Sequence, residues 1–137
     1  MSFTLHPTLK KDCIELASLK LCRVLLMNDN QFPWVILVPE RENITEIHQL
    51  SEHDQQQLMR ESCHIAKQLA TLFKADKMNI AALGNMVPQL HIHHVVRYKT
   101  DPAWPAPIWG KFNTVAYTDD ALEVIRNKLK VLWNSAQ

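Results

Sequence analysis

The spacing of apolar and polar residues along the chain predicts five strands and two helices. Each strand is a short alternating or continuous apolar run, and the third run ends at Pro39, which cannot donate to a sheet. The long helix has apolar residues at helical spacing for about six turns behind Ser51, which is suited to cap it. The predicted strands span 12–18, 20–27, 34–38, 77–83 and 91–98, and the predicted helices span 51–75 and a segment from Thr118 to Trp133.

The order of these elements favours an α+β fold. Strands precede and follow one long helix, and no regular strand–helix alternation appears, so a mainly antiparallel sheet of about five strands is expected. The length of 137 residues fits one domain, 1–137, that can bury a real core. We expect that core at about 10–100, with a C-terminal extension over 101–137 that carries the last helix.

Composition and charge exclude several function classes. A formal net charge of +1 gives no electrostatic basis for nucleic-acid binding or for attachment to an anionic membrane. No apolar stretch approaches the roughly 18 to 20 residues that span a bilayer, and the amino terminus has no secretory pattern. Three cysteines, Cys13, Cys22 and Cys63, have no metal-type spacing and do not suggest a disulfide framework. We therefore expect a cytoplasmic protein with no membrane partner, in which Cys63 is a buried thiol of the long helix.

The residues best suited to catalysis lie at 89–97, where three of the seven histidines occur. A strand points successive side chains to opposite faces, so Gln89, His91 and His93 share one face and His94 takes the other. Two imidazoles on one face suit acid–base or nucleophilic chemistry at neutral pH. A metal site is disfavoured, because only two of the histidines share a face. His94 is interpreted as a packing or surface residue.

Glycine usage points to the loop before this strand. The chain has only two glycines, and Gly84 opens the segment Gly84-Asn85-Met86-Val87-Pro88 between two predicted strands. A glycine there permits positive φ or a close backbone approach to a ligand, and Asn85 can donate hydrogen bonds to an anion. An ordinary hairpin connection is the simpler alternative. Dinucleotide and phosphate-loop fingerprints need more glycine than the whole chain has.

Residues 84–97 resemble the signature of the histidine triad (HIT) superfamily. That signature reads roughly Gly-Gln-x-Val-x-His-φ-His-φ-His-φ-φ, where φ is apolar. The favoured register places Gln89, His91 and His93 at the three triad positions, whereas a register that starts at His91 makes His93 the middle residue and Val95 the third. The segment 33–39 is similar to the family's "LViPk" strand, and the resemblance covers roughly residues 10–100.

The resemblance implies nucleotidyl chemistry without a cofactor. The middle histidine of the family attacks the α-phosphorus of a nucleoside phosphate compound and forms a nucleotidyl-histidine, which makes His91 the expected nucleophile. His93 would contact a phosphate oxygen or the leaving group, Gly84 and Asn85 would bind phosphate, and Gln89 would act as an orienting amide. The expected partners are a small-molecule nucleotide, such as a dinucleoside polyphosphate or a phosphoramidate, and a second subunit in a homodimer.

The chain departs from the family at three positions. Gln89 replaces the first histidine of the triad with an amide that cannot titrate. A fourth histidine after the "LViPk" strand is absent, where this chain has Glu42 and its neighbours, and another histidine often found at the start of that strand corresponds to Trp34. These departures leave open a nucleotide-binding module that has lost turnover, and a structural protein whose histidines only fill a groove.

Other candidates have weaker support. Asp29 follows the second strand, where HIT proteins hold an acidic residue against the ribose hydroxyls, but an aspartate in a turn usually serves the turn. Leu26, Met27 and Phe32 are candidates for the wall of a base pocket, with the core as the alternative. The proline-rich loop from Trp104 to Trp109 either forms a wall over the site or anchors itself. The remaining histidines are interpreted as solvated: His6, His48, His53 and His64.

Overall fold

A computed structural model describes residues 3–134. Its centre is a five-stranded sheet in the order β1-β2-β3-β5-β4, in which every neighbouring pair is antiparallel. The strands are β1 (Cys13–Ser18), β2 (Cys22–Met27), β3 (Trp34–Pro39), β4 (Lys77–Ala81) and β5 (Ile92–Arg97), and the helices are α1 (Pro7–Asp12), α2 (Glu52–Phe73), α3 (Asp119–Leu129) and α4 (Val131–Asn134), with a short 3-10 turn at Ile47–Gln49. The predicted α+β class with a mainly antiparallel sheet is confirmed.

One face of the sheet packs against α2 and the C-terminal helices. Alternate residues of β2, β3 and β5 point to this side and meet the buried positions of α2 at helical spacing. The layer contains Val24, Leu26, Val35, Leu37, Ile92, Val96, Leu58, Ile65, Leu69, Leu129 and Leu132. His94 lies in this layer with no exposed surface, and its Nε2 is 2.7 Å from Ser62 Oγ of α2. The predicted packing role of His94 agrees with this position.

The opposite face of the sheet is covered by α1 and the proline-rich loop. Leu9 of α1 and Ile108 of the loop pack onto Leu25, Trp34 and Ile36 of the sheet. The helix is only six residues long, with Pro7 at its start. The apolar pattern did not predict this helix, since it has one buried residue and no periodicity to detect. The uncovered part of this face is the floor of a cavity.

A buried ion pair fixes the proline-rich loop to the end of β5. Arg97 is fully buried, and its guanidinium donates to both carboxylate oxygens of Asp101 at 2.7 and 3.0 Å. It also donates to the side chain of Asn79 and to the backbone carbonyl of Ala106. The hydrogen bonds from Arg97, with those from the backbone amides that Asp101 accepts, lower the pKa of Asp101 to about 2 against the opposing effect of burial. The loop that carries Trp109 is therefore attached to the strand that carries the histidines.

Three details of the sequence interpretation are wrong. Cys63 is exposed, because it follows the buried Ser62 by one residue and so lies about 100° away around the helix. His6 and His64 are not simply solvated: His6 Nδ1 accepts the amide of Thr8 at the start of α1, and His64 Nε2 is 2.7 Å from the Leu132 carbonyl. The exposed His48 and His53 agree with the prediction. No helix within residues 3–134 is long and apolar enough to cross a membrane.

Candidate active site

His91 and His93 lie together on the sheet face opposite α2. Their ring centroids are 4.9 Å apart, and each side chain is almost fully buried, at 6% and 7% exposure. Both border a cavity of about 380 Å³ between the sheet, α1, the glycine loop and the proline-rich loop. Its walls are mainly apolar and consist of Thr8, Leu9, Asp12, Cys13, Met27, Trp34, Ile36, Leu83, Gly84, Asn85, Met86, Val87, Trp109 and Gly110.

The backbone before β5 holds His91 as a neutral imidazole with one free nitrogen. Nδ1 of His91 is 2.7 Å from the carbonyl oxygen of Gln89, and a carbonyl can only accept, so Nδ1 carries the proton. The pKa of His91 is lowered chiefly by burial, and the charge of His6 lowers it further against the opposing effect of that carbonyl. At neutral pH the ring therefore presents the lone pair of Nε2.

His93 lies among aromatic rings. Its Nδ1 is 2.9 Å from the indole Nε1 of Trp34, and its ring meets that of Trp109 at a centroid distance of 5.4 Å and an angle of 66°. Burial and the nearby His91 and His94 lower the pKa of His93 to about 3. His93 is thus uncharged at neutral pH, and Nε2 is the nitrogen left for a ligand.

The glycine loop borders the cavity beside His91. Gly84 has φ of +73°, a left-handed conformation that other L-residues adopt at a cost. A Cβ at this position would lie 3.7 Å from the carbonyl of Val87, which is ordinary contact, so the backbone angle rather than space favours glycine. Asn85 is exposed at the cavity rim. Both residues border the cavity, and their expected role in phosphate binding stays a prediction.

The side chain of Gln89 is used differently from the expectation. Its Oε1 accepts the backbone amide of His6 at 2.8 Å, and its Nε2 donates to the carbonyl of Thr4 at 2.9 Å. The amide therefore fastens the N-terminal segment, whereas the backbone carbonyl of Gln89 orients His91. The sequence interpretation expects the side chain of Gln89 to orient the reacting groups. In the structure that side chain binds the N-terminal segment instead.

Three of the four residues suggested for a nucleoside pocket, Asp29, Leu26 and Phe32, do not line the cavity within the described part of the chain, whereas Met27 does. Leu26 points to the α2 side of the sheet, because strand alternation turns it away from the neighbouring Met27, which does line the cavity. Phe32 is buried in the packing of the opposite layer. Asp29 is buried and its Oδ1 accepts the amides of Gln31 and Val115, so it closes a turn and holds the C-terminal extension.

Thr8 and Asp12 were missed by sequence reasoning because they belong to the unpredicted α1. Trp109 borders the cavity and its loop is held by the buried Arg97–Asp101 pair, so the loop combines the two alternatives considered for it. Within residues 3–134, no group of three or more His, Cys, Asp or Glu side chains is arranged to hold a metal ion. The site consists of two neutral imidazoles in an apolar cavity.

Comparisons with known proteins agree with this geometry. The family model described as the HIT domain matches residues 9–100, which is more than half of the chain. The chain belongs to the HIT family. A comparison of this HIT chain with curated proteins gave no match.

Solved structures of HIT proteins share the whole fold. A histidine triad protein from Marinobacter aquaeolei VT8 is 50% identical, with a TM-score of 0.97 and full coverage of both chains. One from Bradyrhizobium japonicum is 40% identical, with a TM-score of 0.94 and coverage of 97% of this chain and 100% of its own. A Hit-like protein from Bartonella henselae, at 12% identity and a TM-score of 0.61 over 88% and 86% of the two chains, shares the fold. His6 and Trp109 lie outside the family match but inside the chain length shared with the Marinobacter protein.

Proposed function

We propose that this HIT protein is a hydrolase or transferase that cleaves a nucleoside phosphate compound at its α-phosphorus, with His91 as the nucleophile. The observation that carries the proposal is the hydrogen bond from His91 Nδ1 to the Gln89 carbonyl. This bond fixes the proton on one nitrogen and leaves a lone pair on the other, in a neutral ring that borders the cavity. An imidazole nucleophile requires both conditions.

The reaction has two displacements. In the first, Nε2 of His91 forms a bond to phosphorus while the bond to the leaving group breaks, and the leaving group departs with the electron pair and takes up a proton from solvent. The nucleotidyl-imidazole keeps its proton on Nδ1, hydrogen-bonded to the Gln89 carbonyl, and is cationic, which makes it a good leaving group. In the second, the oxygen of water or another acceptor bonds to phosphorus and loses its proton to solvent. The electron pair of the P–N bond returns to His91.

The surroundings of His91 supply groups for the phosphate oxygens. His93 lies 4.9 Å away between ring centroids and has Nε2 available, and Gly84 and Asn85 border the same cavity. Hydrogen-bond donors aimed at developing charge stabilise such transition states. We therefore assign these three residues to phosphate binding and His91 to the attack.

The charge of the cavity favours a substrate with a single negative charge. No lysine or arginine lines it among the described residues, both histidines are neutral, and Asp12 is the one carboxylate in its wall. A polyphosphate chain would bring several negative charges into an apolar site without cations to pair with them. A nucleoside phosphoramidate, which has one charge and releases an amine, suits the cavity better than a dinucleoside polyphosphate.

The alternative is a nucleotide-binding module without turnover, and two measurements separate it from the enzyme. Hydrolysis of a fluorogenic adenosine phosphoramidate is followed for the wild type, for His91→Ala and for the control His53→Ala, which changes an exposed histidine of α2. We expect turnover in the wild type and control but not in His91→Ala, with AMP still raising the melting temperature of all three. At 100-fold excess over Kd, AMP stabilises by about 2.7 kcal/mol.

Each other result has a definite meaning. Stabilisation by AMP without wild-type turnover supports the binding module. Absence of both turnover and stabilisation contradicts the enzyme and the binding module and favours the structural protein.

We also propose a homodimer joined at β4. This strand is at one edge of the sheet, so its outer backbone groups have no strand partner within residues 3–134, and Ile80 on it is half exposed. A second copy that adds its own edge strand would pair these groups and cover the apolar side chain. The cytoplasmic location expected from the sequence stays a prediction.

A further inference from the structure

The hydrogen bond between Trp34 and His93 joins two strands beneath the cavity. Trp34 begins β3 and pairs with Val95 of β5, which places it diagonally across from His93 on the same face of the sheet. The indole Nε1 of Trp34 is 2.9 Å from Nδ1 of His93. Both side chains are more than nine-tenths buried, so water does not compete for this contact.

The chemistry of the indole decides which nitrogen of His93 carries the proton. An indole N–H donates and cannot accept, so Nδ1 of His93 must be the acceptor and carries no proton. A neutral imidazole has one proton, which is then on Nε2. Nε2 has no hydrogen-bond partner in the described part of the chain, and His93 borders the cavity.

The two catalytic imidazoles are therefore held in opposite forms. His91 donates through Nδ1 to the Gln89 carbonyl and offers a lone pair at Nε2, whereas His93 accepts at Nδ1 and offers an N–H at Nε2. One ring can attack phosphorus and the other can bind an oxygen on it. If His93 took the other form, it would turn a lone pair instead of an N–H toward the oxygen that gains negative charge in the reaction.

We propose that Trp34 is a positioning residue that holds His93 in its Nε2–H form, so that His93 acts in the reaction as a hydrogen-bond donor. The catalytic consequence of this inference rests on the proposed function, whereas the position of the proton on His93 does not depend on it. Trp109 provides a matched comparison, because it also contacts the His93 ring while its buried N–H has no partner among the described residues. Only Trp34 sets the proton position of His93.

The test measures the proton position directly. Protein labelled with 15N-histidine is examined by two-bond proton–nitrogen correlation spectra, with the His93 signals assigned from a His93→Gln variant. In the wild type we expect a protonated Nε2 and an unprotonated Nδ1 for His93, and the reverse for His91. Trp34→Phe should release Nδ1 of His93 and populate the other form, whereas Trp109→Phe, with the same loss of ring volume, should leave the proton on Nε2.

Kinetics then test the consequence for the reaction. Loss of the hydrogen-bond partner that orients a metal-binding histidine costs about 10- to 100-fold, and Trp34 has the same relation to His93. We expect a decrease of that order in kcat for Trp34→Phe with KM little changed, since the contact is needed when charge develops on the phosphate. Equal kcat in the wild type and Trp34→Phe would overturn the positioning role.

The two proposals fail in different ways. A wild-type spectrum that shows the proton of His93 on Nδ1 overturns the inference even where Trp34→Phe fails to fold. A spectrum with the proton on Nε2 in a protein without turnover keeps the assignment of the proton and refutes the proposed function.

Discussion

Neutral histidines inside the fold should make this protein unusually sensitive to mild acid. The pKa of His93 is lowered to about 3 and that of His94 to about 4, and burial is the largest cause in both cases. In the unfolded chain both groups titrate near 6.5. Below pH 6.5 the unfolded chain binds protons at these two histidines and the folded protein does not. Their contribution to the free energy of unfolding is therefore fully present above pH 6.5 and is lost as the pH falls toward 4 and then 3.

The expected loss is a large share of the total stability. Each proton taken up on unfolding contributes about 1.4 kcal/mol per pH unit. His93 and His94 together give a slope of about 2.7 kcal/mol per unit, or about 5 kcal/mol between pH 6.5 and 4.5. A domain of this size is stable by roughly 5–15 kcal/mol in all. The lowered pKa of His91 acts in the same direction.

Urea unfolding at several values between pH 7 and 4.5 measures this slope, provided that the m-value stays constant. The pKa of Asp101 is about 2 in the folded protein and about 3.9 in the unfolded chain, so this carboxyl titrates below the window. His93→Gln should lower the slope by about one proton, or 1.4 kcal/mol per pH unit, whereas Met59→Gln, at an exposed position without a titrating group, should not change it. A free energy of unfolding that does not vary over this range would refute neutral burial of these histidines.

Three further predictions follow from the fold and the site. Asp101→Asn leaves the buried guanidinium of Arg97 without its carboxylate and should lower the free energy of unfolding in urea by about 3 kcal/mol. As a control, Asp54→Asn, whose arginine partner is half exposed, should lower it by less than about 1 kcal/mol. Equal losses in the two variants would contradict the argument from burial. His6→Gln removes an imidazole whose protonated form lowers the pKa of His91, so the acid limb of kcat/KM should move to higher pH. An unmoved limb would mean that the two rings do not interact. Ile80→Lys on the edge strand should shift the protein from dimer to monomer in light scattering. A variant with the same mass as the wild type, whether both are dimers or both are monomers, would contradict a dimer joined at β4.

The parts of the fold that follow from local geometry were predictable. The two-residue period of a strand places His91 and His93 on one face and His94 on the other, and the structure has this arrangement. Ser51 caps the long helix as its position suggests, with its Oγ accepting the amide of Asp54. Such features depend on residues within a few positions of one another, so the sequence pattern contains them.

The parts that depend on distant contacts were not predictable. The side chain of Gln89 binds Thr4 and His6, more than 80 residues away, and no spacing rule indicates that pairing. Trp109 reaches the site only because its loop is attached to the buried Arg97. Met27 rather than Leu26 lines the cavity because α2 covers the sheet face to which Leu26 points. In each case tertiary packing decides between alternatives that the local pattern leaves equal.

The central claim is that His91 becomes covalently nucleotidylated, and trapping that adduct tests it most directly. The wild-type protein is mixed with an adenosine phosphoramidate, quenched within the first turnover and analysed by mass spectrometry of the intact chain and its peptides. The account predicts an added adenylyl group on the peptide that contains His91, labile to acid and absent from His91→Gln, which should not turn over. Turnover by His91→Gln, or an adenylyl group attached elsewhere in an active protein, would contradict it.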